Sequence, residues 1–394
     1  MPEQAVILSA CRTALGTFLG GLASVNAPQL GAVVIKEAVK RAGIDANDID
    51  EVIMGQVVQG GSGQSPARQA AIHAGIPDHV AALTINKICG SGLKSVMLAA
   101  QSIKAGDGNC FVAGGMESMS NCPFILQGAR NGFKFGDQKL VDLMILDGLW
   151  DSFNNFHMGR AAEYTAEKSK LTRLELDEYA ANSQNKAAKA SADGKFKAEI
   201  TPVEIPQRKG DPIIFDTDQG PRPGTTTEKL AKLRPAFQKD GIVTAGNSPG
   251  LNDGSSALVV TSESYAKKHN HTPIAKVIDY AVGFKKPIDL FYAPIVAVQT
   301  LMKKMNVDIN HWDLIEANEA FAAQCLADGK ELGWDWDKVN VNGGAIALGH
   351  PIGTSGARVL TTLIYALKDR GLKKGMATLC LGGGGAVALA IELM

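Results

Sequence analysis

Residues 82–113 read ALTINKICGSGLKSVMLAAQSIKAGDGNCFVA, and this stretch predicts a strand, a glycine-rich turn, a helix and a second strand. The short runs at 82–86 and 109–113 are typical of buried strands. Between them, residues 91–105 carry apolar side chains at helical spacing, and Gly106 ends the helix. Units of this kind build parallel sheets with helices on their faces, so the segment indicates an α/β fold.

The rest of the chain repeats this alternation. The N-terminal part has predicted strands at 5–9 and 48–55 and predicted helices at 28–41 and 64–74. The C-terminal part has a matching set, with predicted strands at 313–316, 339–341, 376–381 and 386–393 and predicted helices at 318–332 and 354–369. The halves share little sequence identity, so we interpret the pattern as a structural duplication.

The duplication predicts where the reactive residues meet. Cys89-Gly90-Ser91-Gly92 in the first half corresponds to Gly349-His350-Pro351 in the second, and Val112 to Gly115 corresponds to Leu379 to Gly382. A pseudo-twofold axis between the halves would bring equivalent loops together. We therefore expect Cys89, His350 and Cys380 to lie at one place.

A segment of different composition and irregular pattern separates the two halves. Residues 122–249 are irregular and rich in Lys, Gly and Pro, with one clear helix at 173–192. We interpret this region as an inserted loop domain that covers the substrate. The predicted boundaries are 1–121 with 250–272 for the N-terminal half, 122–249 for the loop domain, and 273–394 for the C-terminal half.

Composition limits the function classes. The 40 basic and 40 acidic side chains cancel, which gives no indication of nucleic acid or a membrane surface as partner. No apolar run reaches the ~18 residues of a membrane span, and the first residues lack the features of a secretory signal. The six cysteines form no CxxC pair and no zinc-like spacing with His, so we predict no metal site and a reducing, cytoplasmic setting.

Cys89 is the candidate nucleophile. It follows a predicted strand and precedes a predicted helix, where free N–H groups and the helix dipole lower the pKa of a thiol. A buried, inert cysteine is the commoner alternative. The open neighbourhood of Gly90, Ser91 and Gly92 favours the nucleophile.

Three further residues occupy positions suited to catalysis. His350, fixed between Gly349 and Pro351, suits a general base for Cys89 or a donor to an oxyanion, although a lone His is more often structural. Cys380 precedes four glycines, which suit either a tight strand bend or an oxyanion hole and do not fit a dinucleotide-binding loop. Asn318 follows a strand, where it would cap a helix or contact a ligand.

Together these motifs resemble the thiolase family, and the resemblance runs from Val6 to the C-terminus. It is carried by four segments: Ile85 to Gly92, Asn318-Glu319-Ala320-Phe321, Asn340 to Gly356, and Cys380 to Gly384. The resemblance implies two duplicated halves in a five-layer αβαβα arrangement with an inserted loop domain. It also implies a homotetramer built as a dimer of dimers.

The resemblance further implies roles for the candidate residues. Cys89 would carry the acyl group, with His350 activating it, and Cys380 would remove a proton from C2 of the second acyl-CoA. His350 and a water held by Asn318 would form one oxyanion hole. The amides of Cys89 and Gly382 would form the other.

The same resemblance implies the coenzyme A contacts, with CoA as substrate and product and no further cofactor. They are His157, Met158, Arg222, Lys229, Leu233, Phe237, Ala245, Ser248, Ala320 and Phe321. His157-Met158 is similar to the short-chain, acetoacetyl-CoA branch, whereas the 287–294 loop is closer to a branch that accepts 2-methylacetoacetyl-CoA. Pro249 and Lys229 depart from the usual polar CoA contacts, and Gly220 stands where that branch has its potassium-binding Tyr, so potassium is not predicted.

The resemblance therefore predicts an acyltransferase that condenses two acetyl-CoA to acetoacetyl-CoA and CoA, through an S-acetyl-cysteine and ping-pong kinetics. The alternatives are a broader 3-ketoacyl-CoA thiolase and a 2-methylacetoacetyl-CoA thiolase. A decarboxylating ketosynthase would replace Cys380 by His or Asn. A CoA-binding scaffold protein would not need Cys89, His350 and Cys380 together.

Overall fold

The computed structural model describes residues 3–394. Its seventeen strands are β1 (Ala5–Thr13), β2 (Gly16–Thr17), β3 (Glu51–Gly55), β4 (Ala81–Ile85), β5 (Cys110–Ser118), β6 (Phe124–Ile125), β7 (Val141–Asp142), β8 (Trp150–Asp151), β9 (Phe156–His157), β10 (Ile200–Thr201), β11 (Val203–Ile205), β12 (Ile213–Phe215), β13 (Asn252–Ser262), β14 (Ala275–Phe284), β15 (Leu314–Ala317), β16 (Lys374–Leu381) and β17 (Gly385–Leu393).

The eleven α-helices of the described residues are α1 (Ala27–Ala42), α2 (Pro66–His73), α3 (Ser91–Ala105), α4 (Met158–Lys168), α5 (Arg173–Ala192), α6 (Thr227–Leu230), α7 (Glu263–Lys268), α8 (Ala293–Met305), α9 (Ala322–Leu332), α10 (Ala345–Leu348) and α11 (Ser355–Arg370). Among residues 3–394, no helix combines the length and the apolar composition needed to cross a bilayer.

One large sheet runs through both halves in the order β15-β16-β17-β14-β1-β13-β5-β3-β4. The pairs β3–β4, β3–β5 and β15–β16 are parallel, and the remaining neighbours in this order are antiparallel. The halves join where β1 pairs with β14, with Val6 opposite Lys276 and Ile7 opposite Ala275. The strand that follows the loop region, β13, lies between β1 and β5 and so completes the N-terminal part of the sheet.

Three apolar cores divide the molecule into layers. One packs α1 and α2 on the outer face of the N-terminal strands, and another packs α8 and α9 on the outer face of the C-terminal strands. The third encloses α3 and α11, which contact strands of both halves. The result is the predicted five-layer αβαβα arrangement. Every residue of β1 is buried because helices cover both of its faces.

The two central helices approach each other closely at their first turns. A Cβ on Gly92 would lie 2.7 Å from the amide nitrogen of Ala357, and a Cβ on Gly356 would collide with the backbone of Leu93. Only glycine allows this approach. It brings together the N-terminal ends of α3 and α11, which follow Cys89 and His350 in the sequence.

Two predicted elements are wrong in detail. The helix expected over 318–332 begins only at Ala322, because the Asn318 amide donates to the carbonyl of Thr378 and so continues the pairing with β16. The strand expected over 339–341 is reduced to a single bridge at Val339. Its place is taken by the side chain of Asn340, which bonds both the N–H and the C=O of Ala317.

The loop region contains more helix than the sequence predicts. Besides α5, which matches the predicted helix at 173–192, it holds α4 and the short α6. Helix α4 begins at an unusual N-cap, since Nδ1 of His157 accepts the backbone N–H of Gly159 at 3.0 Å. Histidine is not among the residues that normally cap a helix start, so the local sequence does not predict the beginning of α4.

Candidate active site

A cavity of about 460 Å³ lies between the two halves and the loop region. Cys89, His350, Cys380 and Gly382 all line it, together with residues from α4 and from the segments that follow it. Asn318 is fully buried behind the wall, with its Nδ2 3.4 Å from Nε2 of His350. The fold thus brings together residues that lie up to three hundred positions apart.

The turn before α3 presents Cys89 to the cavity. Ile88 has a φ of 48°, which is a strained conformation for a β-branched residue. Two hydrogen bonds from backbone amides to side chains hold this turn. The Ile88 amide donates to Oδ1 of Asn86 at 2.9 Å, and the Lys87 amide donates to Oγ of Ser91 at 2.8 Å. Strain held by surrounding contacts is common at functional sites, and here it places the sulfur at the cavity wall.

The surroundings of Cys89 correct one expectation from the sequence. Burial raises the pKa of the thiol to about 12, although the backbone N–H groups of Cys89 and Gly382 act in the opposite direction. The start of α3 therefore does not produce a thiolate, since the loss of hydration outweighs the helix terminus. Cys89 is a neutral thiol at pH 7 and needs a base to act as a nucleophile.

His350 is held as a neutral base. Its amide donates to Oδ1 of Asn252 at 3.0 Å, and its Nδ1 lies 2.5 Å from Oγ of Ser355. The hydroxyl of Ser355 donates its hydrogen to the carbonyl of Pro351, so its oxygen accepts from Nδ1–H of His350. This assignment leaves Nε2 unprotonated, with a lone pair that can take a proton. Burial, assisted by the charge of Arg358, lowers the pKa of His350 to about 3.

Asn318 faces the same ring nitrogen. Its Nδ2 is the donor that suits the lone pair on Nε2 of His350, which leaves Oδ1 pointing elsewhere. That Oδ1 is buried and has no hydrogen-bond partner among residues 3–394. A buried acceptor without a partner is costly, so this oxygen is suited to hold a water or a substrate group.

The turn after β16 supplies the opposite wall. Cys380 is 1% exposed, and burial first, then the neighbouring Cys89, raises the pKa of its thiol well above the ordinary value. The chain then reverses through Gly383 and Gly384, which have φ of 80° and 90°. A Cβ on Gly384 would lie 2.5 Å from the carbonyl oxygen of Lys285. This bend aims the Gly382 amide at the sulfur of Cys89.

The family models decide the identity of the chain. The model described as thiolase, N-terminal domain, matches residues 5–264, and the one described as thiolase, C-terminal domain, matches residues 271–393. The chain belongs to the thiolase family.

Individual thiolases resemble the chain over its whole length. An acetyl-CoA acetyltransferase of Pseudomonas aeruginosa is 55% identical over 389 residues, which cover 99% of each chain. A probable acetyl-CoA acyltransferase of Staphylococcus epidermidis is 51% identical over 390 residues, again covering 99% of each chain. The crystal structure of the Bacillus anthracis acetyl-CoA acetyltransferase matches with a TM-score of 0.98 and 43% identity, covering 100% of this chain and 99% of that chain. The predicted thiolase fold is thereby confirmed.

In this thiolase, the residues predicted to contact CoA form one continuous surface. Eight of them line the cavity of Cys89: His157, Met158, Arg222, Phe237, Ala245, Ser248, Ala320 and Phe321. Lys229 and Leu233 line an adjoining cavity of about 430 Å³, which shares Arg222, Ala245 and Ser248 with the first. The two cavities together make an elongated groove that leads from the surface to the reactive cysteines.

Several side chains that line the cavity were not predicted. Met144, Ile145 and Leu149 belong to one π-helical turn, a feature that often occurs at functional sites but that has no sequence signature. Leu290 and Phe291 come from the 287–294 loop, which the sequence indicates only as a departure from the short-chain branch. Both groups enclose the end of the thiolase cavity near the cysteines.

Within 3–394, no group of three or more His, Cys, Asp or Glu side chains is arranged to hold an ion. The titratable side chains that line this thiolase cavity include the thiols of Cys89 and Cys380 and the imidazoles of His157 and His350.

Proposed function

We propose that this thiolase is an acetyl-CoA acetyltransferase, which reversibly condenses two acetyl-CoA to acetoacetyl-CoA and CoA. The observation that carries the proposal is the shared cavity, where a thiol, a neutral imidazole unprotonated at Nε2, a second thiol and the Gly382 amide converge. Relatives named acetyl-CoA acetyltransferase, at 52–55% identity over nearly the whole chain, support this substrate.

The first half-reaction acylates Cys89. Nε2 of His350 takes the thiol proton while the sulfur attacks the thioester carbonyl of acetyl-CoA. The amides of Cys89 and Gly382 stabilise the negative charge on the carbonyl oxygen. When the C–S bond to CoA breaks, the proton passes from His350 to the CoA sulfur, and S-acetyl-Cys89 remains.

The second half-reaction forms the carbon–carbon bond. Because burial keeps Cys380 protonated, its proton must first pass to a base, and His350 is the base in the same cavity. The Cys380 thiolate then removes a proton from C2 of the second acetyl-CoA. The enolate oxygen accepts hydrogen bonds from Nε2–H of His350 and from a water at Asn318. Attack of C2 on S-acetyl-Cys89 releases acetoacetyl-CoA, and His350 returns its proton to Cys89.

The groove suits a long, anionic substrate. The half-buried ring of His157 stacks on Phe237 with centroids 5.0 Å apart, and Phe237 meets Phe321 edge-on at 6.0 Å. These rings border the inner part, where the uncharged pantetheine arm would lie. Arg222 and Lys229 occupy the outer part, where their charges suit the phosphates of CoA. Pro249 lines the inner part and has no N–H or hydroxyl to donate.

Thiolytic cleavage with free CoA tests the substrate assignment. Acetoacetyl-CoA, 2-methylacetoacetyl-CoA and a long-chain 3-ketoacyl-CoA are compared by kcat/KM, and we expect the first to be preferred. Preference for the long chain would instead indicate a broader 3-ketoacyl-CoA thiolase. Equal use of the 2-methyl substrate would assign a role to Leu290 and Phe291. Turnover of none would point to a non-catalytic CoA-binding protein.

The same proposal includes a homotetramer in the cytoplasm. Strand β4 ends the sheet with one edge that no strand of residues 3–394 pairs, and its Leu83 is 42% exposed, which suits edge-to-edge pairing across a twofold axis. A second apolar surface surrounds the β6–β7 pair, where Phe124, Phe135 and Leu140 are exposed. All six cysteines are free, which fits a reducing compartment. Light scattering during gel filtration would reveal a tetramer, a dimer or a monomer.

A further inference from the structure

Glu117 is a buried carboxylate that has no place in the mechanism above. It lies near the end of β5, is 0% exposed, and pairs with no basic side chain among residues 3–394. Instead it accepts three backbone N–H groups, from Val57 at 2.9 Å, Val58 at 3.3 Å and Gly353 at 2.9 Å. Burial raises the pKa of this carboxyl to about 7. Such a group is costly to bury, so its contacts call for an explanation.

The contacts of Glu117 belong to the loop that carries His350 and to the loop after β3, which is itself bonded to the turn that carries Cys89. On one side, Gly353 lies three residues after His350 in the loop before α11. On the other side, the carbonyl of Val57 accepts Nδ2 of Asn86 at 3.2 Å. Oδ1 of the same asparagine accepts the amide of Ile88 at 2.9 Å, and Ile88 is followed directly by Cys89.

These bonds form one continuous path from the histidine loop to the nucleophile loop. It runs from the Gly353 amide through Glu117, Val57 and Asn86 to the amide of Ile88. The path links the C-terminal half to the N-terminal half, and Glu117 is the side chain at the crossing.

The packing around this crossing leaves little freedom. A Cβ on Gly353 would lie 2.6 Å from Oε2 of Glu117 and 3.0 Å from Cα of Gln56. A Cβ on Gly115, two residues before Glu117, would collide with the carbonyl of Gly353. The backbone of the histidine loop therefore lies directly against β5, and a change in the length or charge of residue 117 shifts one loop relative to the other.

We propose that Glu117 is a positioning residue, which sets the separation and orientation of Cys89 and His350 by holding the histidine loop directly and the Cys89 turn through Val57 and Asn86. It does not line the cavity, so we assign its role to the loops that it holds. Besides burial, its charge contributes to the raised pKa of Cys89, so loss of that charge alone would favour the thiolate and would not slow acetylation. Misplacement of reacting groups by about 1 Å costs on the order of 100-fold in rate. The inference rests on the proposed acyl transfer to Cys89.

Single-turnover acetylation tests the proposal. Purified enzyme is mixed with saturating acetyl-CoA, and the appearance of S-acetyl-Cys89 is followed by intact-protein mass. Glu117→Gln keeps the volume but places an amide against backbone donors. We expect acetylation to slow by on the order of 100-fold, while the Kd for CoA changes less than about threefold, because only the reacting groups move. A loss of folding stability alone would leave the saturated rate unchanged.

Glu163→Gln is the matched control. Glu163 is also a buried glutamate that accepts two backbone amides, from Ile242 and Val243, each at 3.0 Å. It holds no part of either reactive loop. We expect this variant to lose thermal stability while its acetylation rate at saturating acetyl-CoA stays at the parent value.

Asn86→Ala provides an independent test. If Glu117→Gln does not fold, the result for Asn86→Ala decides whether the proposal holds. This substitution breaks the path at another link, so we expect the same slow acetylation and unchanged CoA affinity. In the double variant the two rate effects should fall well short of multiplying. Acetylation at the parent rate in either folded variant would overturn the proposal. Failure of the parent enzyme itself to become acetylated would instead reject the proposed function.

Discussion

Replacement of Ser355 by Ala tests how the fold sets the protonation state of the catalytic base. Oγ of Ser355 accepts from Nδ1–H of His350 at 2.5 Å and donates to the carbonyl of Pro351 at 2.9 Å. The serine is 1% exposed, so Ala leaves a buried Nδ1–H without an acceptor. The ring can relieve this cost by moving its proton to Nε2, which removes the lone pair that takes the thiol proton in the proposed mechanism.

The size of the effect follows from the cost of the lost acceptor. A buried donor without a partner costs about 1–3 kcal/mol. If that energy favours the inactive tautomer, the active fraction falls by about 5-fold to 150-fold, at roughly 1.4 kcal/mol per factor of ten. We therefore expect kcat for thiolysis of acetoacetyl-CoA to fall within this range, with little change in the KM for CoA.

Thr361→Val is the control for this variant. Thr361 lies on the same helix, is fully buried, and has its hydroxyl 3.0 Å from that of Ser256, away from the cavity. Both variants should lose thermal stability, but only Ser355→Ala should lose kcat. A Ser355→Ala enzyme with kcat within twofold of the parent would refute the tautomer argument.

Three further predictions concern the thiols and the central helices. Cys89→Ala should abolish S-acetylation, whereas Cys380→Ala should still acetylate Cys89 but form no acetoacetyl-CoA; equal loss of both steps in both variants would contradict the division of roles. Because the pKa of the Cys89 thiol is raised to about 12, alkylation by iodoacetamide without substrate should accelerate about tenfold per pH unit from pH 7 to pH 10, and a plateau below pH 9 would count against it. Gly92→Ala should force α3 away from α11 and cost about 1–3 kcal/mol in urea unfolding, so an unchanged midpoint would show that the contact is not tight.

Helices with strong local signals could be predicted almost to the residue. The helix expected over 91–105 is α3, and the one expected over 173–192 is α5, which starts at a complete capping box of Thr172 and Glu175. Apolar spacing and caps act within a few positions of each other, so the chain itself contains the information. The same holds for the duplicated alternation of strands and helices, from which the meeting of Cys89 with His350 was inferred.

Elements that depend on distant partners could not be predicted in this way. Asn340 replaces a strand because its side-chain amide bonds Ala317, and α4 begins at the cap His157, a residue type that does not signal a helix start in the sequence. Glu117 gives no signal at all in the sequence, since the residues it holds lie about 60 and 236 positions away. Such contacts exist only after the two halves have packed.

For the site, too, the reactive groups could be predicted from the sequence, but their protonation states could not. The sequence by itself determined the family, the thiols, the histidine and the glycines around them, because these are chemical groups in a recognisable order. Only the tertiary structure decided their protonation. The local position of Cys89 before a helix predicts a lowered pKa, but burial between the halves raises it and also keeps His350 neutral. The hydration of these side chains depends on how the whole molecule packs, so no single stretch of sequence predicts it.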